Sequence, residues 1–223
     1  MAFWEDWRCC RGKDRDCCSC DCDCDCDWAT ALIWAVIILV LGGVIAVLVI
    51  AFGVVFAPKA SADDALLQRF ALSPGSPASN STVSYALTAT VSLRNPNMYR
   101  VIQYGPLSVT FSYNGSRFDD SAVVPALDAK PRKTATVRVS VSGVDRPVKL
   151  GAPGVAEFRA ENATGVFDVE MRLDTVLQYK GRGAKCPTSV ICPLQLQLVD
   201  PDVAATAFQK TKCIILRAKK SGC

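Results

Sequence analysis

The chain contains no histidine. That absence removes Ser-His-Asp and Cys-His nucleophilic sites and every His-ligated metal centre. The phosphate-cradling and nucleophile-elbow patterns are missing too. There is no G-x-x-x-x-G-K-[ST], no G-x-G-x-x-G opening a helix after a strand, and no G-x-S-x-G. Carboxylates do pair in sequence, at Asp119-Asp120 and at Asp200 with Asp202, and such pairs can serve glycoside hydrolysis. The first pair follows a hairpin pattern and the second flanks Pro201 in a turn, so both read as solvated surface. The expectation is a protein that is not an enzyme, with no catalytic residues and no cofactor.

Charge is also absent from Trp28 to Pro58, between Asp27 and Lys59. Thr30 is the only hydroxyl residue there. As a helix this stretch would be about 46 Å long, more than the ~30 Å hydrocarbon layer, so it can span a bilayer with tilt or a frayed end. Trp28 and Trp34 lie near one end, where indoles favour the headgroup level. A cleaved signal peptide has a shorter apolar region, nearer the N-terminus. The reading is a transmembrane signal-anchor helix over 28–58.

That helix separates a head, 1–27, from the remainder, 59–223. The head carries Arg8, Arg11, Lys13 and Arg15, whereas only Lys59 and Arg69 follow the helix closely. Lys and Arg near the helix ends favour a cytosolic head, although Asp21, Asp23, Asp25 and Asp27 intervene. Three N-x-[ST] sequons, at Asn80, Asn114 and Asn162, all lie after the helix and mark candidate glycosylation sites. The expected localisation is a single-pass type II plasma-membrane protein, N-terminus cytosolic and C-terminal domain extracellular.

Eight of the 12 cysteines lie in the head, and Cys20 to Cys26 reads Cys-Asp-Cys-Asp-Cys-Asp-Cys. Juxtamembrane Cys24 and Cys26 are candidates for S-acylation. Closely spaced thiolates at Cys17, Cys18, Cys20, Cys22, Cys24 and Cys26 could instead bind Zn²⁺ or Cu⁺. A reduced, solvated, disordered tail is the third reading. The remaining Cys186, Cys192, Cys213 and Cys223 allow three disulfide pairings in an oxidising exterior. Cys192 with Cys213 is preferred, because each sits beside a strand-like run. Cys186 with Cys192 is also easy, and Cys223 has no assigned partner.

Period-2 alternation dominates the large part. Odd positions from Val83 to Leu93 are apolar, and the same holds for Leu107–Tyr113 and Ala135–Val141; Phe167, Val169, Met171, Leu173, Leu177 and Tyr179 share a parity, and Leu194, Leu196 and Leu198 alternate with Gln195 and Gln197. Such patterns suit strands with one face in a core and one in water. Turn residues separate them at Asn95-Pro96-Asn97, Asn114-Gly115, Ser142-Gly143 and Gly181-Arg182-Gly183, and Asn114-Gly115 suits a primed hairpin turn. About seven strands without long helical patterns predict a mainly β, antiparallel sandwich of the fibronectin/immunoglobulin type over 80–217. Residues 59–79 read as a stalk, 144–160 as a loop with room for one helical turn, and 218–223 as a basic tail.

The head holds four basic and eight acidic residues, which leaves 21 basic and 13 acidic residues, +8, for the rest. A basic body near a membrane is drawn to anionic surfaces: acidic cell-wall polysaccharide or a lipid headgroup. Lys130, Arg132 and Lys133 form one cluster; Lys210, Lys212, Arg217, Lys219 and Lys220 form another. Nucleic acid is not an expected partner.

Asn95-Pro96-Asn97, then Tyr104, Leu107 and Val109, then Tyr113 and Gly115, then Lys130–Thr136 leading to Ser142-Gly143, resembles the plant harpin-induced/non-race-specific disease resistance-like family, within the late embryogenesis abundant group-two superfamily. The resemblance implies a fibronectin-like sandwich, plasma-membrane placement and a role in defence or stress signalling, or membrane–wall attachment. The late cysteines Cys192 and Cys213 fit that family too. Many relatives have a Pro-rich head rather than this Cys/Asp-rich one. The family carries no agreed catalytic residues. The expected partners are the bilayer, unidentified proteins on both sides and an acidic wall polysaccharide. Alternatives are a metal-buffering membrane protein that uses the head, and a structural stress-protective module.

Overall fold

The computed structural model describes residues 28–73, 81–199 and 208–217. The chain divides into two units, Met1–Leu48 and Val49–Cys223. The Cys/Asp-rich head lies outside the described residues, as do Asn80, Asp200, Asp202, Lys219, Lys220 and Cys223.

In the first unit, α1 spans Trp28–Leu48, 21 residues, or about 32 Å. Its Thr30–Leu48 stretch is long and apolar enough to cross a membrane, with none of it buried in protein. The helix is shorter than the 28–58 expected. Val49–Gly53 is a π-helical turn of the second unit, and 54–58 run on to the first strand. The reason is local. The carbonyls of Phe52 and Gly53 accept hydrogen bonds from Arg100 and Arg182 (2.6 and 2.9 Å), and Pro58 has no N–H to extend a helix.

The second unit is two antiparallel sheets around one core. The first contains β1 (Lys59–Ser73), β2 (Ser81–Arg94) and β7 (Thr134–Val148), with the two-residue β10 (Thr211–Lys212) on the outer edge of β1. The second is centred on β8 (Val166–Tyr179), flanked by β9 (Lys185–Gln197) and then β11 (Ile214–Arg217). The other edge of β8 pairs with β3 (Ile102–Tyr104) and β4 (Leu107–Tyr113), laid end to end. These pair in turn with β6 (Leu127–Ala129) and β5 (Ser116–Val124). The predicted parity holds: Val83, Tyr85, Leu87, Ala89, Val91 and Leu93 are buried, as are Phe167, Val169, Met171 and Leu173.

Four readings are corrected. Residues 59–73, expected as stalk, form β1, a full partner of β2. Two bulges, between Ala62 and Asp64 and between Leu67 and Arg69, shift the buried parity from Ala60 and Ala62 to Ala65 and Leu67 and then to Phe70. No single period survives, which is what hid the strand. Ser142-Gly143 is not a turn. β7 runs through it to Val148, and a bulge opposite Val83–Tyr85 takes up Val144 and Asp145, the latter at φ 50°.

Residues 152–164 form α2 (Ala152–Thr164), not a loop. Pro153 stands at its start and Gly165 (φ 71°) caps its end, donating to the Glu161 carbonyl; both are helix punctuation rather than helix breaking. Lastly, Asp119 is not solvated surface. It is 4% exposed, and its Oδ1 accepts from the Ser121 amide and hydroxyl at 3.2 and 2.8 Å. Only Asp120 is exposed, beside Arg117 at 3.6 Å.

Phe70 of β1 joins the layers, with ring centroids 5.0–5.6 Å from Tyr113, Phe118, Phe158 and Phe167. These come from β4, β5, α2 and β8, so one ring ties both sheets to the helix. Aromatic pairs of this kind contribute roughly 0.5–1.5 kcal/mol each beyond their burial.

Candidate functional site

The residues singled out in the sequence converge on the end of the sandwich where the chain arrives from residues 49–58. Asn95 directly follows β2 and is fully buried. Its Nδ2 donates to the Arg100 and Ala129 carbonyls at 2.8 and 2.9 Å. Its Oδ1 accepts from the Asn97 amide and the Asn97 Nδ2 at 3.0 and 2.9 Å. Asn97 reaches the incoming chain: its Oδ1 accepts from the Phe56 amide at 2.7 Å and its Nδ2 donates to the Phe56 carbonyl at 3.0 Å. A side-chain amide carries a donor and an acceptor together, so it can match the N–H and the C=O of one residue, as it does at Phe56. The Asn-Pro-Asn motif is therefore a buried splice holding together the incoming segment, the 95–101 loop and β6, rather than only a turn.

The loops around this splice are held in register by main-chain bonds. The Asn95 amide donates to the Lys133 carbonyl (2.9 Å), the Arg132 amide to the Asn97 carbonyl (3.1 Å) and the Lys180 amide to the Val101 carbonyl (3.0 Å). Tyr179 donates its hydroxyl to the Phe56 carbonyl (3.3 Å) and accepts from the Arg217 guanidinium (3.1 Å). Burial pushes the Tyr179 hydroxyl above the ordinary range, opposed by the charges of Arg217 and Arg182. Tyr104 is buried beside it, and burial raises its hydroxyl too. Both tyrosines are held as neutral hydroxyls.

The other motif residues divide between core and turn. Leu107, Val109 and Tyr113 are buried, and Gly115 sits with Asn114 in the two-residue β4–β5 turn, both at positive φ (71° and 45°). The primed-turn reading holds, since Tyr113 pairs directly with Ser116. Asn114 is exposed, but its Nδ2 is engaged by the Glu157 carboxylate. Asn162 is exposed on α2.

Cys192 is bonded to Cys213. Cys213 is the single residue between β10 in one sheet and β11 in the other, so the bond fixes the strand at the point where it changes layers. The Cys186–Cys192 alternative is thereby excluded. Cys186 is buried and disulfide-bonded.

Among the described residues the two basic clusters are not separate: Lys210 and Lys212 line one pocket with Lys59 and Arg94. Lys130, Arg132 and Lys133 lie in the β6–β7 loop at the splice, and Arg217 reaches the same end through Tyr179. Lys210 also faces Asp63 at 2.7 Å. Spacing in sequence missed Arg100 and Arg182. Nothing in a lone arginine within a turn announces that it will cap a helical segment 48 or 129 residues away.

The architecture is thus that of a mainly β sandwich unit preceded in the chain by an apolar helix. Residues 90–191, less than half of the chain, match the family model described as late embryogenesis abundant protein, and they run from late β2 into β9. β1, β10 and β11 lie outside the matched residues yet complete the two sheets. Two solved structures are similar in part. One is a crystal structure of a protein from Archaeoglobus fulgidus, 13% identical, covering 60% of this chain and 99% of that one, with a TM-score of 0.28. The other is a solution structure of a protein from Arabidopsis thaliana, 15% identical, covering 66% and 87%, with a TM-score of 0.32. No curated protein matches the chain.

Proposed function

We propose that this is a non-enzymatic, single-pass plasma-membrane protein of the stress response. Its Cys/Asp-rich head lies in the cytosol and its sandwich outside, acting in defence or stress signalling or in membrane–wall attachment. The observation that carries the reading is the uncharged Thr30–Leu48 helix joined to a domain matching the late embryogenesis abundant family. The resemblance to the harpin-induced group supports the defence role. The sequons after the helix and the basic residues before it support the type II orientation.

In this reading the sandwich engages a protein or an acidic wall polymer, and the anchor couples that event to cytosolic proteins that meet residues 1–27. Acylation of Cys24 and Cys26 would strengthen the anchor by about 0.8 kcal/mol per buried CH₂.

Topology is tested on protein from plant cells. Glycosidase treatment should shift the mass of the native chain, and N162Q should remove at least part of that shift. Protease applied to intact cells should digest the sandwich and spare the head; the reverse pattern sinks the orientation. Wall contact is tested by binding to pectin, which should be present at low salt and weaken as salt rises.

The Cys-Asp repeat also favours a second reading, a thiolate metal buffer. Sub-micromolar Zn²⁺ or Cu⁺ binding by a peptide spanning 9–27 would promote this reading, and acyl-biotin exchange that labels the same cysteines in protein from cells would overturn it.

A further inference from the structure

Four segments meet at the splice: 49–59, 94–101, 130–134 and 179–185. Together they hold nine Lys and Arg and no Asp or Glu. Loop 94–101 supplies Arg94 and Arg100, loop 130–134 supplies Lys130, Arg132 and Lys133, and loop 179–185 supplies Lys180, Arg182 and Lys185. Lys59 pairs across from Arg94, which pairs with Thr134, placing β1, β2 and β7 at this one end. Among the described residues none of the nine is in an ion pair. Seven are exposed; Arg100 and Arg182 are half-buried as caps on the Phe52 and Gly53 carbonyls. Asp128, exposed on β6, borders the group near Lys185, but the excess is strongly positive, and its self-repulsion is relieved opposite an anionic surface.

The same end exposes apolar groups. Phe52 stacks on Tyr99 with ring centroids 4.5 Å apart, yet the two remain 49% and 54% exposed, and Met98 beside them is 46% exposed. Aromatic rings interleaved with Lys and Arg are the composition of a membrane–water interface. A sugar polymer would use the charges but not Met98. Chain connectivity brings the collar within reach of lipid. Gly53, held by Arg182, is five residues from Leu48, the last residue of α1, and five residues span at most about 18 Å.

The geometry points to a docking surface for anionic phospholipid headgroups: the collar of Arg94, Lys130, Arg132, Lys133, Lys180 and Lys185, with Phe52, Met98 and Tyr99 at its centre, seats on the bilayer that receives α1. This inference rests on α1 spanning that bilayer and requires anionic lipid in the leaflet on the sandwich side.

The test uses the full chain in nanodiscs of phosphatidylcholine, with and without phosphatidylserine, followed by amide hydrogen exchange. Amides 98–101 and 130–133 should exchange at least about tenfold more slowly with phosphatidylserine, the equivalent of little more than one Lys or Arg contact. The effect should vanish in about 1 M salt and in K130E/R132E/K133E, while β2 and β8 keep their protection as the control for folding. In a W4F/W7F background, brominated lipid reports insertion through Trp28 and Trp34. Quenched tryptophans with lipid-independent loop exchange overturn the docking surface alone. Unquenched tryptophans overturn the spanning helix, and the docking surface with it. Loop protection by polygalacturonate but not by phosphatidylserine assigns the collar to an acidic polymer and also overturns the inference.

Discussion

Replacing Asn95 with alanine removes four hydrogen bonds at once, those to the Arg100 and Ala129 carbonyls and those from the Asn97 amide and side chain. The site is fully buried, and alanine is too short to bring replacement partners. Each net bond contributes about 1 kcal/mol, so N95A should destabilise the sandwich by about 4 kcal/mol. For a domain of this size each kcal/mol moves the Tm by about 2–4 °C, which gives a fall of roughly 8–16 °C. N95D should cost at least as much at neutral pH, because it keeps the acceptor but turns a carboxylate toward two carbonyls. N97A removes the two bonds to Phe56 and shares the Asn95 bond, so the double variant should cost less than the sum of the singles. The assay is circular-dichroism melting of the full chain in detergent, with urea titration for the free energies. A loss below about 1 kcal/mol for N95A, or strict additivity with N97A, would refute the splice as an energetic unit.

Other outcomes can be checked independently. C192S/C213S opens a loop with a sequence separation of 21, and the chain-entropy estimate for that length is about 3 kcal/mol; non-reducing peptide mapping should recover Cys192 linked to Cys213. Gly143 lies opposite Tyr85, and a Cβ there would stand 2.8 Å from its ring, so G143A should cost about 1–3 kcal/mol in urea unfolding. Burial works to raise the Asp63 carboxyl, but hydrogen bonds from Lys210, Ser92 and Ser61 hold it below its ordinary value of 3.8. Its stabilisation is therefore present above that value and lost as pH falls through the lower folded value. The Asp63 and Lys210 side chains are 31% and 66% exposed, so at neutral pH D63N should cost less than about 1 kcal/mol. The difference from the native chain should close as the pH falls through that range.

The strands that sequence revealed are those whose pleat is unbroken. β2, β4 and β8 keep one parity from end to end, so alternation in sequence maps directly onto burial. β1 and the far half of β7 were invisible for the opposite reason, since each bulge inverts the parity and cancels the signal. α2 was hidden because Pro153 and Gly154 at its start read as loop residues unless the cap at Gly165 is read with them. Of the candidate site, the Asn-Pro-Asn motif and the Lys130–Lys133 cluster stood out in sequence. That they meet could not be read, because the bonds joining them run from the Asn95 amide to the Lys133 carbonyl and from the Arg132 amide to the Asn97 carbonyl, between segments distant in the chain.

Composition and period alone determined the apolar helix, the β class and the turn at Asn114-Gly115. Each of these rests on local chemistry: transfer of side chains from water, two-residue pleating, and tolerance of positive φ. The tertiary structure decided the rest. It made residues 59–73 a strand, let Cys213 bridge the sheets, and gathered ordinary arginines and lysines from four segments at one predominantly basic end, because which charges become neighbours depends on which distant strands pair.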